Sequence, residues 1–386
     1  MRIALDALIL HGRYAGVEHY VHQLIVALRR QDRENEYLVY VPRDAATREF
    51  NAENFAVRRA PFSGRQKVRR VMWQQLAMPS SLAAERVELL HGPAYVLPLQ
   101  ARCRRVVTVH DVIVFARPDL AKASNRWHYR TVVPRAVARA DRVITLSRHA
   151  RDALLRHLEV EPQKIVVSYQ GVRETFCPVT DEPRLGGVRE RYDLPGRFFL
   201  FVGQIEPKKN VMACIEAMRE YARCGGPPAK LVIAGKIGWR ARAFTRAIAD
   251  PTVREHVRYV GYVDDEDLAA LYSLAEALLF PSLYEGVGVP PLEAMACGCP
   301  AIVSDRAALP EVVGDAALVV PLPEDGESPS GRAAFASALA RAMMRLDEDE
   351  RLRADLVSRG LKRARRFSWA RHAREVLDVY RHVTTE

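Results

Sequence analysis

Glu285-Gly286-Val287-Gly288-Val289-Pro290-Pro291-Leu292-Glu293 sets two carboxylates on either side of a glycine loop and a proline-started helix. Upstream, Ala277-Leu278-Leu279-Phe280 is a short apolar run that stops at Pro281-Ser282, the pattern of a buried strand in a parallel sheet. Downstream, Pro291 suits the first helical position and Gly298 the position after the last turn. On an unbroken helix, eight residues would separate the carboxylates by about 12 Å. With Glu285 on the loop and Glu293 in the opening turn, the two can grip opposite ends of one elongated ligand. Spacing alone leaves a plainer reading open, in which Glu293 favours a helix N-terminus and Glu285 is a solvated loop acid.

Working outward, the second half alternates strand and helix patterns, with strands expected at 198–202, 231–234, 257–260, 277–280, 301–304 and 317–320. Its first strand runs into Gly203-Gln204-Ile205-Glu206-Pro207-Lys208-Lys209-Asn210, then a helix from Val211. Two lysines beside a helix N-terminus suit an anion, because ammonium charge and free backbone N–H groups point the same way. The first half shows the same alternation, with strands expected at 2–8, 37–41, 89–91, 105–109, 142–146 and 164–168. Two Rossmann-like α/β domains in tandem follow, with the polar stretch 178–195 as the linker. The loop His11-Gly12-Arg13-Tyr14-Ala15-Gly16 follows a strand end, where open α/β sheets bind ligands, but carries no G-x-G-x-x-G dinucleotide fingerprint. The run Val106-Val107-Thr108-Val109 delivers His110 and Asp111 at a second strand end. Over 66–77, Val68, Val71, Met72 and Leu76 share one helical face with Lys67, Arg69 and Arg70 mostly off it. Core packing is the expected use of that apolar face, with a membrane surface as the alternative.

The chain of 386 residues carries a net charge of +11. Residues 1–175 hold 29 Lys and Arg against 17 Asp and Glu, whereas the remainder holds 29 against 30, so the excess belongs to the first half. A basic half suits a phosphate-bearing substrate or an anionic membrane surface. Nucleic acid is not expected, since no aromatic interleaving or recognition motif accompanies the charge. No apolar run approaches the roughly 20 residues of a membrane span, and Met1-Arg2-Ile3-Ala4-Leu5-Asp6 meets an acid early for a signal peptide, so a cytosolic protein is expected. The six cysteines are scattered without a C-x-x-C pair or histidines at zinc-ligand spacing.

Taken as an ordered set, these motifs resemble the retaining two-domain (GT-B fold) glycosyltransferases of family 4, and more narrowly their bacterial mannosyltransferase-like branch. The resemblance runs from Gly16–Tyr20 through His110-Asp111, Ser147-Arg148, Gln170-Gly171-Val172, the 203–210 loop and Gly235-Lys236-Ile237-Gly238-Trp239. It continues through Phe280-Pro281-Ser282-Leu283-Tyr284-Glu285 to Glu293, then Leu309-Pro310-Glu311 and Phe367-Ser368-Trp369.

The resemblance implies two Rossmann-like domains facing each other across a cleft: an acceptor-side domain at 1–175, a donor domain at 176–366, and a last helix, 367–386, packing back on the first. It implies that Glu293 binds the ribose of a nucleotide, and that Glu285 lies by the donor hexose. The backbone of Gly286, Val287, Gly288 and Val289 would lie close to the sugar and diphosphate. Lys209, with Lys208 beside it, would hold the diphosphate. His110 would sit near the reaction centre, and Gly16 would face the donor phosphates. Gln204 stands where an arginine is common, Val287 where phenylalanine is usual, and Gln170 and Arg173 replace a common Asn and Asp. These departures bear on donor preference.

The expected activity is retaining, metal-independent hexosyl transfer from a nucleotide-diphosphate sugar, GDP-mannose first among the donors, to a glycan or lipid-linked acceptor in cell-surface polysaccharide biosynthesis. No cofactor is expected. The expected location is the cytoplasm, with peripheral attachment to the inner face of the membrane. A nucleotide-sugar epimerase of the same fold and a non-catalytic sugar-nucleotide or glycan binding protein remain as alternatives.

Overall fold

The computed structural model describes residues 1–11, 16–326 and 328–385, and the chain divides into two compact units. One comprises Met1–Gly171 with Phe367–Glu386, the other Val172–Arg366; the division falls at 171/172, against an expected boundary at 175/176. The chain leaves the first unit at a glycine for a steric reason. A Cβ on Gly171 would lie 2.1 Å from the backbone nitrogen of Trp369, where the returning chain crosses.

The first unit is built on a seven-stranded parallel sheet: β1 (Arg2–Asp6), β2 (Glu36–Pro42), β3 (Phe55–Ala60), β4 (Leu89–Gly92), β5 (Arg104–Val109), β6 (Arg142–Thr145) and β7 (Ile165–Val167). Its strand order is β3-β2-β1-β4-β5-β6-β7. The second unit has β8 (Phe198–Val202), β9 (Lys230–Ala234), β10 (Val257–Gly261), β11 (Leu278–Phe280), β12 (Ala301–Ser304) and β13 (Leu318–Val320), in the order β10-β9-β8-β11-β12-β13. All ladders are parallel. Each sheet reverses its order beside its first strand, between β1 and β4 and between β8 and β11, and ligands of open α/β sheets bind outside the strand ends at such points. The central strands read as apolar runs because helices cover both faces; Phe198, Phe199, Leu200 and Phe201 are all fully buried.

The last helix, Trp369–Thr385, belongs to the first unit and lies along helix Val17–Gln31. Its apolar stripe, including Ala373, Val376 and Tyr380, is buried, and a chain of polar contacts fixes it. Ser168 donates to Glu375 at 2.7 Å and so must accept from His372 Nδ1, also 2.7 Å away. That leaves His372 Nε2 to accept from the Tyr20 hydroxyl at 2.9 Å. His91 bridges the Tyr380 hydroxyl (2.7 Å) and Thr108 (2.8 Å).

Three expectations need correction. Stretch 178–195 is not a plain linker: helix Glu182–Tyr192 lies within it, capped by the Asp181 carboxylate, which accepts from Arg184 N–H. Strand β3 was not anticipated. Helix Lys67–Leu76 does not bury its aliphatic face: Val68, Met72 and Leu76 are 73%, 55% and 68% exposed. Gln74 turns inward instead, donating to the buried Asp6 carboxylate, while Trp73 packs against Tyr40 and Phe62. The glycine-bearing loop before helix Val17–Gln31 lies, at residues 12–15, outside the described residues. Among the described residues no helix is long and apolar enough to cross a membrane.

Candidate donor-binding site

The site of the second unit is assembled from loops at the ends of β8, β9 and β11. Gly203 follows β8, and its loop approaches the loop after β9 so closely that a Cβ on Gly235 would lie 1.9 Å from the Gly203 carbonyl. Gly235 also has φ +149°, a conformation other residues rarely adopt. Ile205 N–H donates to Lys236 O (2.9 Å) and Gly238 N–H to Ile205 O (3.0 Å), joining the two loops. A short turn, Pro207–Lys209, then leads through left-handed Asn210 (φ 52°) into helix Val211–Arg223. The loop after β11 is tied to this turn: Leu283 N–H donates to Lys208 O (2.7 Å), and the Asn210 amide donates to Pro281 O (3.3 Å).

This stitching brings Lys209 Nζ to 2.6 Å from Glu285 Oε1, with both side chains largely buried. The ammonium also lies 4.7 Å from the Phe280 ring centroid, a cation–π contact. Burial pushes the Glu285 carboxyl toward the neutral form, but the charges of Lys209 and Lys208 outweigh it and hold its pKa below the usual value. Lys208 Nζ sits 3.6 Å from Glu206. Gln204 is exposed beside them.

Beyond Glu285 the chain passes Gly286 and the buried Val287 to Gly288 (φ +89°), where a Cβ would meet Leu309 Cδ2 at 2.5 Å. Helix Val289–Ala296 starts there with prolines in its first turn. Glu293 is thus its fifth residue, two positions later than expected, and points inward rather than serving the N-terminus. Its carboxylate accepts from the Tyr272 hydroxyl at 3.1 Å. Burial raises its pKa to about 7, with Arg173 and the Tyr272 hydrogen bond offsetting only part. Arg173 is itself fixed by Asp265 (2.7 Å) and stacks 4.7 Å over Phe176. The two glutamates therefore differ at neutral pH: Glu285 is a carboxylate held by a lysine, Glu293 a carboxyl near its titration midpoint.

Lys208, Lys209, Glu285, Gly286–Val289, Glu293 and Gln204 thus share one unit. Gly16 and His110 belong to the other. Gly16 is exposed, with φ 55°, at the start of helix Val17–Gln31. His110, just past β5, is buried, and burial lowers its pKa to about 4. Its Nε2 lies 2.9 Å from the Pro93 carbonyl, so it donates there, and Nδ1 is left as an acceptor. The edge of Tyr20 meets it at 4.5 Å between ring centroids. Asp111, whose carboxylate accepts from Ile113 N–H at 3.0 Å, caps a turn. The sequence reading missed Tyr272 and Phe280. Tyr272 lies 21 residues from Glu293 on another helix, and nothing local signals the pairing. Phe280 read only as strand core.

Two Rossmann-like units, one of them carrying this lysine–glutamate site at its switch point, define a GT-B glycosyltransferase. Residues 189–363 match the family model described as "Glycosyl transferases group 1", and residues 14–176 match "Glycosyltransferase Family 4". The chain belongs to this family. It is 29% identical over 294 residues to O-antigen chain mannosyltransferase B of Escherichia coli, spanning 76% of this chain and 74% of that one. It is 28% identical over 300 residues to the serotype-specific mannosyltransferase WbdA of Escherichia coli, spanning 75% of this chain but only 35% of that one. In fold it is similar to sucrose-phosphate synthase from Thermosynechococcus elongatus, with a TM-score of 0.78, 22% identity, and 100% and 99% of the two chains covered.

Proposed function

We propose that the chain transfers mannose, with retention of configuration and without a divalent metal, from GDP-mannose to a glycan or lipid-linked acceptor during cell-surface polysaccharide assembly. The mannosyl donor and the polysaccharide setting rest on the relatives named above. The observation that carries the site assignment is the buried Lys209–Glu285 pair with Glu293 beyond it along the same loop and helix. In this reading Glu293 accepts from ribose hydroxyls and Glu285 from the hexose. The backbone of Gly286, Val287, Gly288 and Val289 lines the sugar and diphosphate, and Gln204 sits at the rim.

Lys209 and Lys208 stabilise the diphosphate charge that grows as the glycosidic bond breaks, an interaction stronger in the transition state than in the ground state. The departing phosphate takes the acceptor proton on the same face of the sugar. The enzyme works as a peripheral protein on the cytoplasmic face of the membrane, drawn there by its basic first unit.

The direct test incubates the full chain with GDP-mannose and a mannose-terminated oligosaccharide. Release of GDP only when acceptor is present, an α-linked product by NMR, and no loss of rate in EDTA are expected. Conversion of the donor alone to an epimer, or an inverted product, would overturn the reading.

A further inference from the structure

Among the described residues few large apolar side chains are exposed, and three of them, Val68, Met72 and Leu76, lie on the single helix Lys67–Leu76. They recur every four residues, so they form one stripe roughly 12 Å long. A ten-residue helix that turns such a stripe to water forfeits the burial that ordinarily holds a helix to its domain. Here other contacts hold it. Gln74 donates to buried Asp6, Gln75 donates to Leu97 O (3.0 Å) and accepts from Leu99 N–H (3.1 Å), and Trp73 packs beneath. The stripe is thus presented on a fixed helix.

Helix Ala123–Arg139 is the neighbour. Arg70 and Lys67 act electrostatically on its His128, and Arg70 and Gln74 line a hollow with His128 and Tyr129. Next to His128 stands Trp127, 77% exposed. The charges carried by these two helices have one sign, while Arg70 also faces Glu18 and the buried Asp6. Residues 54–84 and 120–140, which include both helices, contain eleven Lys and Arg and no Asp or Glu. Arg65, Lys67, Arg69, Lys122, Arg126 and Arg130 are exposed.

We propose that helix Lys67–Leu76, with the exposed Trp127 of the neighbouring helix, docks the first unit onto an anionic lipid bilayer. Val68, Met72 and Leu76 enter the headgroup–acyl boundary, and the flanking arginines and lysine meet lipid phosphates. Chemistry favours a bilayer over other occupants. Nucleic acid would match the cations but leave the aliphatic stripe unpartnered. An interfacial helix needs this combination of aliphatic stripe, cationic flanks and a tryptophan at headgroup level. The inference deepens the peripheral location proposed above and rests on it only for its biological setting; the geometry stands whatever the donor.

The test is co-sedimentation of the full chain with vesicles of phosphatidylcholine alone or with about a third phosphatidylglycerol, at low and at 0.5 M salt. Wild type should bind the anionic vesicles at low salt, with a blue shift of tryptophan fluorescence that Trp127→Phe largely removes. Met72→Asp with Leu76→Asp, both at exposed positions, should lower binding at least tenfold, and Lys67→Glu with Arg69→Glu should lower it comparably. Melting of each variant with and without GDP checks that the fold and the donor site are intact. Unchanged vesicle binding by the Asp variant would overturn the proposal. So would a concentration-dependent dimer, or an acidic protein partner, that the same variant abolishes while wild type ignores vesicles. Loss of any response to GDP with vesicle binding retained would count against the proposed function and leave this surface standing.

Discussion

Lys209 and Glu285 form a buried ion pair, Nζ to Oε1 2.6 Å, between loops that follow different strands of one sheet. The lysine charge keeps Glu285 ionised against its burial. An incoming diphosphate competes with Glu285 for the lysine, and a sugar hydroxyl competes for the carboxylate.

Lys209→Ala should therefore damage two properties separately. Leaving Glu285 buried and unpaired should cost about 3–5 kcal/mol of stability, read by urea unfolding. The double variant Lys209→Met/Glu285→Gln should recover much of that loss. It should not recover turnover, because the charge that stabilises the leaving diphosphate is gone; kcat should stay at least a hundredfold down. Recovery of activity with stability would contradict the role assigned to the lysine.

Glu293 gives a pH signature. Its pKa is raised from the ordinary carboxylate value to about 7 in the folded chain. The native state thus holds a proton that the unfolded state releases, and stability contributed by this group falls as pH rises from about 4.5 to about 7. Glu293→Gln removes that dependence and should be more stable than wild type above pH 7 by up to about 3 kcal/mol, with no difference near pH 4.5. Nucleotide affinity should move the opposite way, rising with pH through about 7 in wild type as the carboxylate forms and staying weak and flat in the Gln variant. Isothermal titration with GDP from pH 6 to 8 reads this.

The first unit should be the acid-sensitive one. Burial holds His91 and His372 at about 3 and His110 at about 4, well below the ordinary histidine value. The unfolded chain therefore takes up protons that the folded unit refuses, and stability is lost as pH falls below about 6.5. Three such groups give a slope of about 4 kcal/mol per pH unit between pH 6 and 4. Hydrogen exchange at pH 5 should show strands β1–β7 opening before β8–β13. Tyr20→Phe, which leaves His372 Nε2 without its donor, should add about 1–3 kcal/mol of destabilisation at neutral pH.

Gly235→Ala should weaken both fold and site. A Cβ would stand 1.9 Å from the Gly203 carbonyl, and φ +149° is strained for alanine. The β8 and β9 loops must then separate, displacing Gln204 and the lysine turn. A stability loss of at least about 2 kcal/mol, with nucleotide binding reduced at least tenfold, is the expected result by thermal melting and titration.

What could be read from the chain beforehand follows from how local each signal is. The apolar runs of β8 and β11, with Gly203 and Pro281 closing them, announce buried parallel strands, and the ordered loops Gly203–Asn210 and Glu285–Glu293 announce the site. Strand β3 (Phe55–Ala60) stayed hidden because Arg58 and Arg59 break its apolar run at the sheet edge. Helix Glu182–Tyr192 was masked by Gly186-Gly187, which cost helix propensity that the Asp181 cap offsets. Helix Lys67–Leu76 was given the wrong inner face because its orientation is set by Asp6, 68 residues away from Gln74. The Tyr272–Glu293 pairing likewise depends on two helices meeting in space.

The most direct measurement is thermal melting of the full chain with GDP-, UDP-, ADP- and dTDP-sugars at millimolar concentration. One nucleotide class, GDP first, should raise the melting temperature; at 100 times its Kd the donor adds about 2.7 kcal/mol, or roughly 3 °C when the whole chain melts together and roughly 7 °C when the donor unit melts by itself. Glu293→Ala should abolish the shift, and Lys209→Ala should reduce it. No shift with any of the four, or equal shifts in wild type and Glu293→Ala, would contradict a nucleotide-sugar site at the Lys209–Glu285–Glu293 constellation.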